Sequence, residues 1–107
     1  MIKSELEKAL ATQIKQAGLP EPIPQYKAIT GRRFLFDFCY PESKLLIEVQ
    51  GAIWKGKQGG HSSGVGIMRD HEKNNLAVIA GWRVIYVNSK TIDSGEAVAQ
   101  IEEALDE

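Results

Sequence analysis

The sequence predicts an α/β fold with one mixed central sheet flanked by helices, and three observations carry that reading. An apolar stripe of helical period opens the chain. Two neighbouring segments of strand character follow, joined by a proline turn. Further on, a helical segment stops at a glycine and runs straight into another strand.

Residues 4–15 read as a helix. Leu6, Ala9, Leu10, Ala11 and Ile14 recur on one face, and Ser4 with Glu7 has the spacing of a capping box. Gly18 suits the position just past the helix end, and Pro20, Pro22 and Pro24 prevent continuation. Residues 25–29 are expected as a short strand, with Thr30 and Gly31 as a turn. Phe34, Phe36 and Phe38 then alternate with Leu35, Asp37 and Cys39 at strand period. Pro41 sits second in a turn of residues 40–43, and residues 44–50 form the partner strand, completing a hairpin.

Residues 51–66 hold six of the ten glycines and read as a long loop carrying Trp54, Lys55, Lys57 and His61. Loops of this length in small domains are often functional. Residues 67–80 are expected as a helix with Met68, Leu76, Ile79 and Ala80 inward, ended by Gly81. Residues 82–87 read as a strand. Asp93 or Ser94 opens a last helix whose inner face is Val98, Ile101 and Leu105. The expected order is α-β-β-β-α-β-α, in one domain spanning residues 1–107.

Bulk properties narrow the function classes. Hydrophobic content of 43% and charged content of 25% are those of an ordinary soluble globular domain. No apolar run approaches the roughly 18 residues that span a bilayer, so no membrane partner is expected. The first residues lack a signal-peptide core. Cys39 is the only cysteine, which excludes an internal disulfide and suits a reducing cytoplasm. No Cys/His cluster offers a structural zinc site. The net charge of −1 argues against a nucleic-acid binder until its distribution is considered. Residues 91–107 carry six acids and no base, whereas residues 24–90 carry ten bases and five acids, a local net charge of +5. A phosphate backbone meets local charge, not the total. Scattered solvating lysines remain the plainer reading of the same numbers.

Two residues stand out chemically. Asp37 lies in Phe34-Leu35-Phe36-Asp37-Phe38-Cys39 and Glu48 in Leu45-Leu46-Ile47-Glu48-Val49-Gln50, stretches otherwise fit for burial. A carboxylate there is unfavourable unless something positive compensates it. A hairpin can bring both to one end of the sheet. They either pair with Arg32, Arg33 or Arg83, or hold a cation between them, and such hard oxygen donors suit Mg²⁺, with Mn²⁺ as a substitute. Gln50, two residues from Glu48, shares its face of the strand and can orient a water or a phosphate oxygen, unless it is merely a polar strand end.

An acid, a hairpin turn, then Glu-x-(Lys or a polar substitute) resembles the PD-(D/E)xK, restriction-endonuclease-like superfamily. Small phage and bacterial endonuclease domains related to very-short-patch-repair proteins look similar over nearly the whole chain. The likeness lies at Ser4-Glu5-Leu6-Glu7, Arg33-Phe34-Leu35-Phe36-Asp37-Phe38, Ile47-Glu48-Val49-Gln50-Gly51, Gly60-His61, Asp70-His71-Glu72-Lys73-Asn74 and Gly81-Trp82-Arg83-Val84. The resemblance implies an αβββαβ core and Mg²⁺-dependent hydrolysis of phosphodiester bonds in DNA or RNA. It makes Asp37 and Glu48 metal ligands, the Val49 carbonyl a third, and Glu7 an accessory acid. Gln50 stands where the superfamily has lysine; Lys73 on the following helix is the replacement the resemblance allows, or else a solvated helix lysine.

On this reading the chain is a DNA endonuclease of a bacterial or phage-infected cytoplasm, with Asp37, Glu48, Gln50, Lys73 and Glu7 as its catalytic set. Lys55, Lys57, His61 and Arg69 would contact DNA phosphates. Trp54 either wedges against bases or closes the core; His71 reads as surface or packing. One such site cuts one strand, so cutting a duplex requires a homodimer or two encounters. Two rivals remain open: an inactive nucleic-acid-binding module on the same fold, and an interaction protein whose acidic tail binds a partner.

Overall fold

The computed structural model describes residues 2–51 and 64–106. Helix α1 (Lys3–Gln16) leads to strands β1 (Ile23–Tyr26) and β2 (Phe36–Tyr40). A one-turn 3₁₀ helix, Pro41–Ser43, connects to β3 (Leu45–Val49), and α2 (Gly64–Ile79), β4 (Arg83–Val87), α3 (Ser89–Ser94) and α4 (Glu96–Leu105) complete the chain. The sheet order is β1-β2-β3-β4, antiparallel for the first two pairings and parallel for β3 with β4. This is the mixed sheet the sequence predicts.

Helices cover both faces. On one, Leu6, Leu10 and Ile14 of α1 pack with Phe38, Tyr40, Leu45, Ile47, Val49 and Val87 of the sheet and with Ile92, Ala97 and Ile101 of α3 and α4. On the other, Phe36, Cys39 and Leu46 meet Ala77 of α2 and Trp82. Strand β3 is buried throughout, as expected of a central strand with helices on both sides.

Several expectations shift. Strand β1 begins at Ile23 rather than residue 25 and contains Pro24, which tolerates strand pairing because β1 is an edge and needs no N–H on its outer side. Helix α2 starts at Gly64, so Gly64 and Gly66 are helical rather than loop residues. Met68 and Ile79, expected inside, are 70% and 80% exposed, Ala80 is exposed and Leu76 half-buried; the buried contact is Ala77. The apolar side chains of α2 do not mark the face that packs, because a small residue permits the close approach to the sheet. The last helix is two: Asn88 caps α3 by accepting the Thr91 N–H at 3.0 Å, and Gly95, at φ 84°, ends α3 and starts α4.

The N-terminal correction matters for the site. The opening turn is closed by Glu5, whose carboxylate accepts the Ile2 N–H at 3.3 Å, rather than by a Ser4–Glu7 box. Glu7 is thereby left to face the sheet.

Candidate active site

The β2–β3 ladder opens at one end. Phe38, Cys39 and Tyr40 pair with Ile47, Leu46 and Leu45, and the backbone pairing stops there. Beyond it the side chains of Asp37 and Glu48 take over. The Asp37 N–H donates to Glu48 Oε1 at 3.1 Å, and the Val49 N–H donates to Asp37 Oδ2 at 2.7 Å. Each carboxylate thus satisfies a main-chain donor of the other strand. The strict alternation expected of Phe36 and Phe38 is lost at the same point, since Phe36 belongs to the α2-side core and Phe38 to the α1-side core.

Both acids are buried, Asp37 at 4% and Glu48 at 8% exposure. Their cations come from different helices. The Lys3 ammonium of α1 lies 2.9 Å from Asp37 Oδ1, and the Lys73 ammonium of α2 contacts Glu48 Oε2. Lys73 also sits 4.5 Å from the centroid of the Phe36 ring. Of the arginines weighed as partners, Arg32 pairs with Glu72 at 2.8 Å, Arg83 donates to the Ser43 carbonyl at 2.9 Å, and Arg33 is exposed. Glu7, one turn after Lys3, stands 3.9 Å from the same ammonium.

The electrostatics show a site short of positive charge. Burial pushes Glu48 above the usual carboxylate range, opposed by the Lys73 hydrogen bond and charge, with the charge of Asp37 pushing up further. Burial and the Asp37 charge likewise raise Glu7, against the pull of Lys3. Partial burial acts to lower Lys3, but its hydrogen bond to Asp37 and the charges of Asp37, Glu48 and Glu7 outweigh this and raise it. Carboxylates whose pKa values are raised by burial and by a neighbouring like charge cluster at functional sites, and structural ion-pair networks perturb them too.

Asp37, Glu48, Val49, Lys73 and Glu7 are therefore gathered at one place. Gln50 follows immediately, half-buried, its N–H donating to the Val87 carbonyl at 2.7 Å. Arg69 and His71 are exposed on α2. Trp54, Lys55, Lys57 and His61 lie outside the described residues. Two neighbours escaped the sequence reading. Lys3 precedes the helix as expected from Ser4, yet it is helical and four residues from Glu7, a spacing that puts both on one face. Tyr86 lies beside Glu48 in the parallel register, 44% exposed; burial raises its phenol pKa, and the charges of Glu48 and Asp70 raise it further.

Among the described residues no three His, Cys, Asp or Glu side chains converge as a ready-made metal cluster. The oxygen donors that would serve a cation here are the carboxylates of Asp37 and Glu48, now engaged by Lys3, Lys73 and two main-chain N–H groups, with the Val49 carbonyl as the third expected from the sequence. That set fits Mg²⁺, which is commonly held by one or two carboxylates and keeps several waters.

No family model matches the sequence, and no curated protein does. Among solved structures the fold is similar to that of the catalytic domain of the homing endonuclease I-Bth0305I, with a TM-score of 0.66. The two are 21% identical, and the alignment covers 92% of this chain and 91% of that one. A likeness at that identity is a likeness of fold.

Proposed function

We propose that this chain is a single-domain, Mg²⁺-dependent endonuclease of the PD-(D/E)xK type that hydrolyses phosphodiester bonds in DNA during phage or bacterial DNA processing, repair or restriction. The observation that carries the reading is the opened β2–β3 ladder, where two buried carboxylates replace backbone pairing and leave their own charges undercompensated. The homing-endonuclease catalytic domain, with the same fold, supports DNA as the substrate class.

Asp37, Glu48 and the Val49 carbonyl would hold the ion. When bound, a divalent cation there supplies neutralisation of phosphate charge and acidification of water. The protein's own groups do the rest. Lys73, pinned between Glu48 and the Phe36 ring, supplies the positive charge missing at position 50 and stabilises charge on a phosphate oxygen. Gln50 orients a water or a phosphate oxygen, and Glu7, its carboxyl pKa raised by burial and by the charge of Asp37, accepts or returns a proton beside Asp37. Lys55, Lys57, His61 and Arg69 position flanking phosphates, so that binding weakens with salt. A homodimer would bring two such sites to a duplex.

The test is cleavage of duplex, single-stranded and branched DNA and of RNA with Mg²⁺ or Mn²⁺, against EDTA. Metal-dependent cleavage that Asp37→Asn abolishes supports the reading. DNA binding without cleavage under any metal supports the inactive binding module, which glutamine at position 50 favours.

A further inference from the structure

Two carboxylates, Asp37 and Glu7, share one ammonium at the N-terminal turn of α1. The Lys3 nitrogen is 2.9 Å from Asp37 Oδ1 and 3.9 Å from Glu7 Oε2, and the charge of Glu48 also bears on it. Its stem runs past the end of β3, where a β-carbon placed on Gly51 would lie 3.8 Å from that of Lys3. Lys73 approaches Glu48 from the opposite face of the sheet and contacts a different oxygen. The two lysines are thus not equivalent. Lys73 is largely enclosed, its side chain 16% exposed, whereas that of Lys3 is 50% exposed and free to leave toward solvent.

We propose that Lys3 is a built-in counter-ion that occupies the cation position of the metal-free site and must be displaced from Asp37 for a divalent ion to bind. The inference rests on the metal-binding reading above. Asp37 Oδ2 accepts the Val49 main-chain N–H, whereas Oδ1 is held by a side chain that can move, so Oδ1 is the oxygen a cation would contest. A monovalent ammonium and a divalent ion compete for it, and the flexible, half-exposed side chain is the one that yields. Lys3 stabilises the empty site, sets a threshold for metal affinity, and on leaving carries its positive charge to the entrance of the site.

The experiment is a calorimetric titration of the full chain with MnCl₂, for the parent, Lys3→Met and Lys3→Arg, with circular dichroism to verify folding. The removed competitor is a half-exposed ion pair, so Lys3→Met should bind Mn²⁺ roughly two- to fivefold more tightly. Lys3→Arg should stay near the parent. A second readout follows the amine itself: acylation of Lys3, read by peptide mass spectrometry against exposed Lys8 and Lys15, should accelerate several-fold when Mn²⁺ is added. If the parent binds Mn²⁺ while Lys3→Met binds equally or more weakly and Lys3 labelling is unmoved, the counter-ion role is overturned and the metal site stands. If neither protein binds Mn²⁺, the metal reading falls and the inference with it. Binding by Lys3→Met alone would support the inference most directly, with Lys3 as the excluding group.

Discussion

Substituting the two ends of the Glu48–Lys73 pair separately distinguishes a functional carboxylate from a structural one. Glu48→Gln keeps the side-chain length, and its carbonyl oxygen can still accept the Asp37 N–H. It forfeits the charge-assisted bond to Lys73, a loss of about 1.5–3 kcal/mol for bonds of this kind. Against that, it removes a charge that is 8% exposed and faces Asp37. The upward direction of the Glu48 pKa means that these penalties exceed what Lys73 returns. The net effect on the metal-free chain should therefore be small and favourable, about 0–1 kcal/mol, or roughly 0 to +5 °C in Tm. Lys73→Met does the reverse. It leaves the buried carboxylate without its cation, an imbalance of about 3 kcal/mol at the lower end of such cases, hence roughly 15 °C downward. Thermal melts at pH 7 in EDTA give both values, and Mg²⁺-dependent cleavage of a DNA duplex should fall at least ~100-fold in each variant. An ordinary structural ion pair would lose stability from either end. If Glu48→Gln melts as far below the parent as Lys73→Met does, the argument that this carboxylate is held at a cost for function is wrong.

Other outcomes follow from the same geometry. Because Glu7 and Glu48 titrate above their usual 4.5, each binds its proton more tightly in the folded chain than in the unfolded one. Their contribution to metal-free stability is thus fully present below about 4.5 and lost as pH rises through the folded values. The stability difference between the parent and Glu7→Gln should accordingly grow more negative from pH 4 to 7; urea unfolding in EDTA measures it, and a difference independent of pH would refute the assignment. Lys55→Ala with Lys57→Ala should weaken DNA binding across sequences and flatten its salt dependence, as a phosphate contact requires; an unchanged slope would remove that segment from the DNA path. Tyr40 is buried and its phenol, raised to about 12 by burial, donates to the Pro20 carbonyl at 2.8 Å. Tyr40→Phe should lower stability by about 1 kcal/mol in urea unfolding without altering metal response.

How far the sequence reaches is clearest at the two acids. Asp37 and Glu48 are conspicuous because each interrupts an apolar strand, a property of a few consecutive residues that strand periodicity exposes directly. The hairpin between them, the helix before Gly81 and the mixed sheet were legible for the same local reason. What the sequence left open was which cations answer those acids. Arg32 and Arg33 were reasonable candidates by proximity along the chain, and Arg83 as the base that opens a strand, yet the partners are Lys3 and Lys73, 34 residues from Asp37 and 25 from Glu48. Pairing across such separations is set by where α1 and α2 dock on the sheet. The inward face of α2 was similarly hidden, since Met68 and Ile79 outrank Ala77 in hydrophobicity but not in how closely they let a helix approach. The sequence by itself determined where charge would be unfavourable. Only the tertiary structure, by opening the β2–β3 ladder and placing a lysine on each face, decided how that charge is held.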